Sequence, residues 1–143
     1  MVTFFFMEAQ EFKYRELTEK IIGCAMKVHS YFGAGFPEIV YKKALMIELG
    51  KIGLKFEEEK EVKIFYESRF IRKRRLDLLV EGLVLLELKA IRQPDNGDIN
   101  QLLNYLKVFG MEVGLFFNFG AKSLYFKRYI NTPNKSVKSV NSA

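Results

Sequence analysis

Arg75-Leu76-Asp77-Leu78-Leu79-Val80-Glu81-Gly82-Leu83-Val84-Leu85-Leu86-Glu87-Leu88-Lys89-Ala90 is the stretch that decides how this chain folds. It is almost wholly apolar, yet Asp77 interrupts its first half, and Glu87 and Lys89 stand two residues apart in its second. Its two apolar runs have the length of strands, and Glu81-Gly82 between them makes a turn, so the stretch is a β-hairpin. Both strands are apolar on two faces near that turn, which places the hairpin in a central, covered sheet. Burying charge is expensive. Two carboxylates and an ammonium kept among core-grade residues therefore point to a reacting centre rather than to packing.

Working outward, Leu17, Ile21, Ile22, Ala25, Val28 and Phe32 recur at helical steps, giving a helix over 12–32 that Gly33-Ala34-Gly35 ends. Pro37 suits the first turn of a second helix, which Leu45 and Leu49 carry to Gly50 or Gly53. Strands are expected at 62–66, 70–80 and 83–88, then a loop at 93–97 and a helix at 99–109 with Leu102, Leu103, Leu106 and Phe109 on its apolar face. Strands at 113–119 and 124–130 close the domain. The order α-α-β-β-β-α-β-β describes an α/β fold, a central mixed β-sheet flanked by helices. Residues 1–130 make one domain, with 1–11 as a lead-in or as residues upstream of a start at Met7, and 131–143 form a flexible C-terminal tail.

The 143 residues are enough to bury a real core. Apolar content of 49% and charged content of 28% describe a globular protein, and no apolar run is long enough for a transmembrane helix. The net charge of +6 suits a polyanionic partner. A single cysteine, Cys24, excludes a disulfide framework and a zinc cluster. With no export signal, the expected compartment is the cytoplasm.

The chemistry that fits Asp77, Glu87 and Lys89 is phosphodiester hydrolysis. That reaction needs a nucleophilic water and a Lewis acid on the phosphoryl oxygen, both of which Mg²⁺ or Mn²⁺ held by carboxylates supplies. Asp77 and Glu87 are the candidate ligands, with the main-chain carbonyl of Leu88 between Glu87 and Lys89. Glu87 and Lys89 share a strand face roughly 6.5 to 7 Å apart, so Lys89 can reach the attacking water or a phosphate oxygen. Glu38, early in the second helix, is a candidate third acid, and Gln101, on the later helix, can orient Lys89 or donate to a phosphate. Strand parity sets a condition. A two-residue turn at Glu81-Gly82 would pair Asp77 with Leu86 and put Asp77 and Glu87 on opposite faces. A shared metal requires a three-residue loop or a bulge near Glu81 to Leu83, or an irregularity at Asp77.

Gly35-Phe36-Pro37-Glu38-Ile39-Val40-Tyr41 matches the signature that names the GxxExxY proteins, and the Asp77…Glu87-Leu88-Lys89 hairpin and Gln101-Leu102-Leu103-Asn104-Tyr105-Leu106 also resemble that family, from about Leu17 to Arg128. The family is similar to the PD-(D/E)XK nuclease superfamily. The resemblance implies a restriction-endonuclease-like core, with Asp77, Glu87 and Lys89 as the triad, Glu38 as the helix-borne acid and Gln101 as the residue after the motif. It departs at Asp98, where the family often has a histidine.

Arg72, Lys73, Arg74 and Arg75 lead into Asp77 and form a candidate phosphate track, to which Lys42, Lys43 and Lys107 are possible additions. Alternation sends Arg72 and Arg74 one way and Lys73 and Arg75 the other, so both pairs serve one ligand only if the strand is an exposed arm there. Tyr41 suits a core aromatic with a polar tip, and His29 a structural histidine. The expected function is a metal-dependent nuclease acting on nucleic acid, DNA favoured over RNA, as a homodimer or within a larger nuclease assembly and without a membrane. The alternative is a non-catalytic nucleic-acid-binding or interaction module that retains the fold.

Overall fold

The computed structural model describes residues 14–93 and 95–131, and the backbone of Lys138–Val140. The expected lead-in at 1–11 and most of the expected tail lie outside these described residues. The helical spacing of apolar side chains gives α1 (Arg15–Phe32), whose buried face includes Ile21, Ile22, Cys24, Ala25 and Val28. Gly33, at φ +67°, ends it, and its N–H caps the His29 carbonyl. Helix α2 (Glu38–Lys51) starts one residue after Pro37, which takes the cap position rather than the first turn. Tyr41, Lys42, Leu45 and Leu49 are its buried residues.

The strands are β1 (Phe56–Tyr66), β2 (Arg69–Val80), β3 (Val84–Lys89), β4 (Val113–Asn118), β5 (Tyr125–Ile130) and β6 (Lys138–Val140), with α3 (Asn96–Val108) between β3 and β4. They lie side by side in that order. Only the β3–β4 pair is parallel, because α3 carries the chain across between them. The expected element order holds, with two additions. β1 begins at Phe56 rather than Val62, through a charged run that an edge strand tolerates. Lys138–Val140, in the segment expected to be loose, pair antiparallel with β5.

The sheet is covered on both faces. α1 and α2 pack against Leu78, Val80, Val84, Leu86, Leu88, Val113, Leu115 and Phe117. α3 packs on the other face against Leu76, Leu85, Phe116 and Tyr129. β3 and β4 are buried from end to end, as their continuous apolar runs require, apart from the half-buried Lys89.

Two local features position the site. At the β2–β3 turn, Glu81 and Gly82 both take positive φ (54° and 67°) and the Leu83 N–H donates to the Val80 carbonyl at 2.9 Å. The ladder nevertheless pairs Val80 with Val84, Leu79 with Leu85 and Leu78 with Leu86, so Leu83 is an extra residue and the loop has three. This register brings Asp77 opposite Glu87, as the parity condition demands. The second feature is an inversion. Leu76 belongs to the α3-side core, whereas Leu78 and Val80 belong to the α1–α2 side. Residues two apart in a regular strand share a face, so β2 turns over at Asp77. β1 turns over across from it: Phe56 packs on the α1–α2 side and Val62 on the α3 side. Between them Glu59 has φ +50°, and the ladder skips the Glu59–Asp77 pair. Beyond the inversion β1 and β2 run on as a largely exposed two-stranded arm, closed by a turn at Glu67-Ser68.

Candidate active site

Asp77 sits where β2 changes face, and its side chain lies along the sheet rather than above or below it. Its Oδ2 accepts a hydrogen bond from the Leu88 N–H of β3 at 3.0 Å. The regular β2–β3 ladder ends at Leu78–Leu86, so the carboxylate takes over a bond that backbone would otherwise make. In an extended strand a residue's N–H and C=O point to the same edge. The Leu88 carbonyl therefore opens toward Asp77 as well. Asp77 sits between the two faces of the sheet, so it is close to groups from both.

From the α3 side come Glu87, Lys89, Gln101 and Asp98. Glu87 is buried, 4% exposed, between Leu86 and Leu88. Gln101 Nε2 donates to Glu87 Oε1 at 3.1 Å. Lys89 Nζ lies 4.0 Å from Glu87 Oε1 and 3.9 Å from Asp98 Oδ1. From the α1–α2 side comes Glu38, in the first turn of α2. The electrostatics tie the two sides together. Burial, then the charge of Asp77, pushes the Glu87 carboxyl up to about 8; Glu38 and Asp98 add to the rise and Lys89 opposes it. Glu38 is also raised, first by burial and then by Asp77, against Lys89 and Lys42.

The GxxExxY motif acquires a physical meaning here. Gly35 takes φ +110°, which a side chain would strain. Tyr41 is fully buried, and its hydroxyl donates to the Gly33 carbonyl while accepting from the Phe36 N–H at 3.1 Å. Its ring stacks on Phe119. The tyrosine thus fastens the loop that launches α2 and aims Glu38, a positioning part rather than a reacting one.

The donor set is all oxygen, which suits a hard divalent cation. A cation among Glu38, Asp77 and Glu87 would relieve the repulsion that lifts Glu38 and Glu87. Among the described residues no three Asp, Glu, His or Cys side chains form a ready cage by themselves. The Leu88 carbonyl and solvent would complete a shell.

Of the four cations in the expected phosphate track, the structure brings two to the site side. Arg74 pairs across the ladder with Val62 and Arg72 with Ile64, on the face that carries Val62 into the α3-side core. Lys73 and Arg75 turn to the other face, where Lys73 meets Glu61 at 3.3 Å and Arg75 meets Glu59 at 3.8 Å. Lys42 is not part of a surface track: it is buried and paired with Glu58 and Glu59 at 3.6 and 3.7 Å. His29 is structural, its Nε2 3.0 Å from the Ala121 carbonyl.

Two residues with roles at the site escaped the sequence. Asp98 joins Asp95 in a reciprocal capping box that starts α3, while its side chain faces Lys89. Asp95-x-x-Asp98 ahead of an apolar run is the available signal. Asn118 is fully buried and holds the end of the hairpin by three bonds, two with the Ile91 backbone and one from the Gly120 N–H. No local pattern announces it.

The sequence profile of the PD-(D/E)XK nuclease superfamily matches residues 15–129. No curated protein matches the chain. Among solved structures, the chain is similar to one described as the crystal structure of SSO0001, at 18% identity and a TM-score of 0.48, over 87% of this chain. The chain spans 63% of that protein's length. The mixed sheet with helices on both faces is consistent with a restriction-endonuclease-like fold, and enzymes of the superfamily generally use divalent metals. Matched over most of its length, the chain belongs to the PD-(D/E)XK nuclease superfamily.

Proposed function

We propose that the chain is a metal-dependent nuclease that hydrolyses phosphodiester bonds, with DNA the favoured substrate, and that it is a GxxExxY-type member of its superfamily. The observation that supports this is the pairing of the buried Glu87 with Lys89 at 4.0 Å, across the strand from an Asp77 carboxylate held by the Leu88 N–H, with Glu38 near enough to feel the charge of Asp77. Asp77, Glu87 and the Leu88 carbonyl would hold Mg²⁺ or Mn²⁺, with Glu38 as a further acid. Such an ion supplies Lewis acidity at the phosphoryl oxygen and lowers the pKa of water.

The chain's own groups do the remaining work. Leu88 N–H fixes the Asp77 carboxylate, so its orientation is set before any ligand arrives. Gln101 fixes one oxygen of Glu87. Lys89, held between Glu87 and Asp98 and still 30% exposed, presents an ammonium to solvent where an attacking water or a non-bridging phosphate oxygen can meet it. Positive charge there stabilises the charge that builds on the phosphoryl group.

The test is cleavage of labelled single- and double-stranded oligonucleotides with Mg²⁺ or Mn²⁺, beside Glu87→Ala and Lys89→Met. Cation-dependent cleavage that falls by at least about 100-fold in both variants is expected. Cleavage that persists in Lys89→Met, or that needs no cation, overturns the assignment. The basic arm favours a second reading, a binding module without catalysis. Tight, salt-sensitive binding with no cleavage by the unsubstituted protein would select it.

A further inference from the structure

The two faces of the β1–β2 arm differ in a way the nuclease reading does not use. On the α3 side β1 presents Val62, Ile64 and Tyr66, and β2 presents their cross-strand partners Arg74, Arg72 and Arg69. Cross-strand partners share a face, and the register shift near Ile64 and Phe65 leaves the alternation of β1 intact. The result is an apolar row ending in Tyr66, which is 66% exposed, beside a row of arginines. Among the described residues none of these three arginines has a salt bridge. On the opposite face two of the cations are engaged: Lys73 with Glu61, Arg75 with Glu59.

We propose that the α3-side face of this arm is a platform for single-stranded nucleic acid, which lies along β2 with its phosphates on Arg69, Arg72 and Arg74 and a base on Tyr66, and which feeds the scissile bond to Asp77, Glu87 and Lys89. The proposal rests on the phosphodiester reading of that site and adds the substrate class: a strand end, flap or gap rather than intact duplex. Three observations support it. Arg72 and Arg74, two residues apart, are roughly 6.5 to 7 Å from one another along the strand, a spacing suited to successive phosphates of an extended single strand. Aromatic stacking beside a cationic row is the usual means of holding single strands without sequence preference. The arginine row is also continuous with the site. Arg74 and Arg72 lie within electrostatic reach of the Tyr105 hydroxyl, as do Glu87 and Asp77, so the row leads toward the site.

The platform runs from Arg69 to Asp77, roughly 26 Å of strand, enough for several nucleotides. The experiment is fluorescence anisotropy with a labelled 20-nucleotide oligodeoxythymidine and a duplex of the same length, in EDTA so that nothing is cleaved, across a salt series. Single strand is expected to bind at least tenfold more tightly than duplex. Arg72→Ala with Arg74→Ala should weaken it more than tenfold and reduce the salt slope by about 1.4, since each phosphate contact to a single strand contributes about 0.7. Tyr66→Ala should weaken binding about tenfold with the slope unchanged, and Tyr66→Phe should restore it. Lys73→Ala should change it less than twofold.

Duplex bound as tightly as single strand, or Lys73→Ala as damaging as Arg72→Ala, would replace the platform with a groove-entering ribbon. A Tyr66→Ala variant that breaks up a dimer in sedimentation while keeping its affinity for the oligonucleotide would assign the face to a second copy of the chain. Metal-dependent cleavage with binding insensitive to every arm substitution would sink the platform and leave the nuclease assignment standing. Arm-dependent binding without cleavage by the unsubstituted protein would do the reverse.

Discussion

Glu87→Gln should make this protein more stable, and increasingly so as pH rises. The carboxyl is 4% exposed and titrates near 8 in the folded chain against 4.5 for an ordinary glutamate, first because of burial and second because of Asp77. Below pH 4.5 both folded and unfolded chains carry the proton, and the group has no effect. Between 4.5 and about 8 the unfolded chain has released it and the folded chain has not, so stability falls by about 1.4 kcal/mol per pH unit. Above 8 both are ionised and the loss levels off. Across that window the ceiling is roughly 5 kcal/mol. Water entry and relaxation around a charged Glu87 bring the expected figure to on the order of 3 kcal/mol, a large share of the roughly 5–15 kcal/mol that holds a typical domain together. Glutamine has the same size, and its carbonyl can accept the Gln101 bond that Glu87 Oε1 accepts now.

The assay is urea unfolding followed by circular dichroism, for both proteins with a chelator present, at intervals from pH 4.5 to 9. The gap between variant and parent should open through that range and flatten above 8. Adding Mg²⁺ at pH 8 should narrow it, by stabilising the parent alone. A gap that stays constant, or that closes as pH rises, would mean that Glu87 is not held protonated by burial beside Asp77.

Calorimetry at pH 7 should find that Mn²⁺ binding releases close to one proton, seen as a heat that varies with the buffer's ionisation enthalpy, and that affinity climbs between pH 6 and 8; buffer-independent heats would count against a Glu87-centred site. Asn118→Ala removes three bonds from a fully buried side chain and strands Ile91 backbone groups, so a loss of roughly 2–4 kcal/mol is expected in thermal unfolding; a loss under 1 kcal/mol would show that the β3–α3 connection is held elsewhere. Tyr41→Phe keeps the stack on Phe119 but removes the hydroxyl between Gly33 and Phe36, at an expected cost of about 1–3 kcal/mol and with a larger fall in cleavage than in substrate affinity. Unchanged turnover would separate the tyrosine from the aim of Glu38.

Much of this architecture was legible because its signals are local. The helical spacing of Leu17 to Phe32 and the uninterrupted apolar runs of β3 and β4 admit few other structures. The three-residue loop at Glu81–Leu83 could be deduced because parity links two distant carboxylates: if Asp77 and Glu87 serve one point, the register is fixed. What stayed hidden depends on long-range packing. Phe56 to Glu61 carry too many charges to announce a strand, and only the β2 neighbour makes them one. Lys42 looked like a surface cation until Glu58 and Glu59, brought in by that same strand, enclosed it. The division of Arg72 and Arg74 from Lys73 and Arg75 follows from alternation, but which pair faces α3 depends on the inversion at Asp77, which no propensity encodes.

That inversion also imposes a rule of length. On the core side of Asp77 the chain is locked on both faces, and any added or lost residue would expose buried leucines. Beyond it the arm answers only to parity. Inserting two residues in each strand between Asp77 and the Glu67-Ser68 turn would lengthen the arm by one repeat and keep every arginine on its present side. Inserting one would rotate the row toward α2 and bring Lys73 to face α3 instead. Changes in arm length are therefore expected to come in even steps, with the reach of the arm free to vary while Glu38, Asp77 and Glu87 stay where they are.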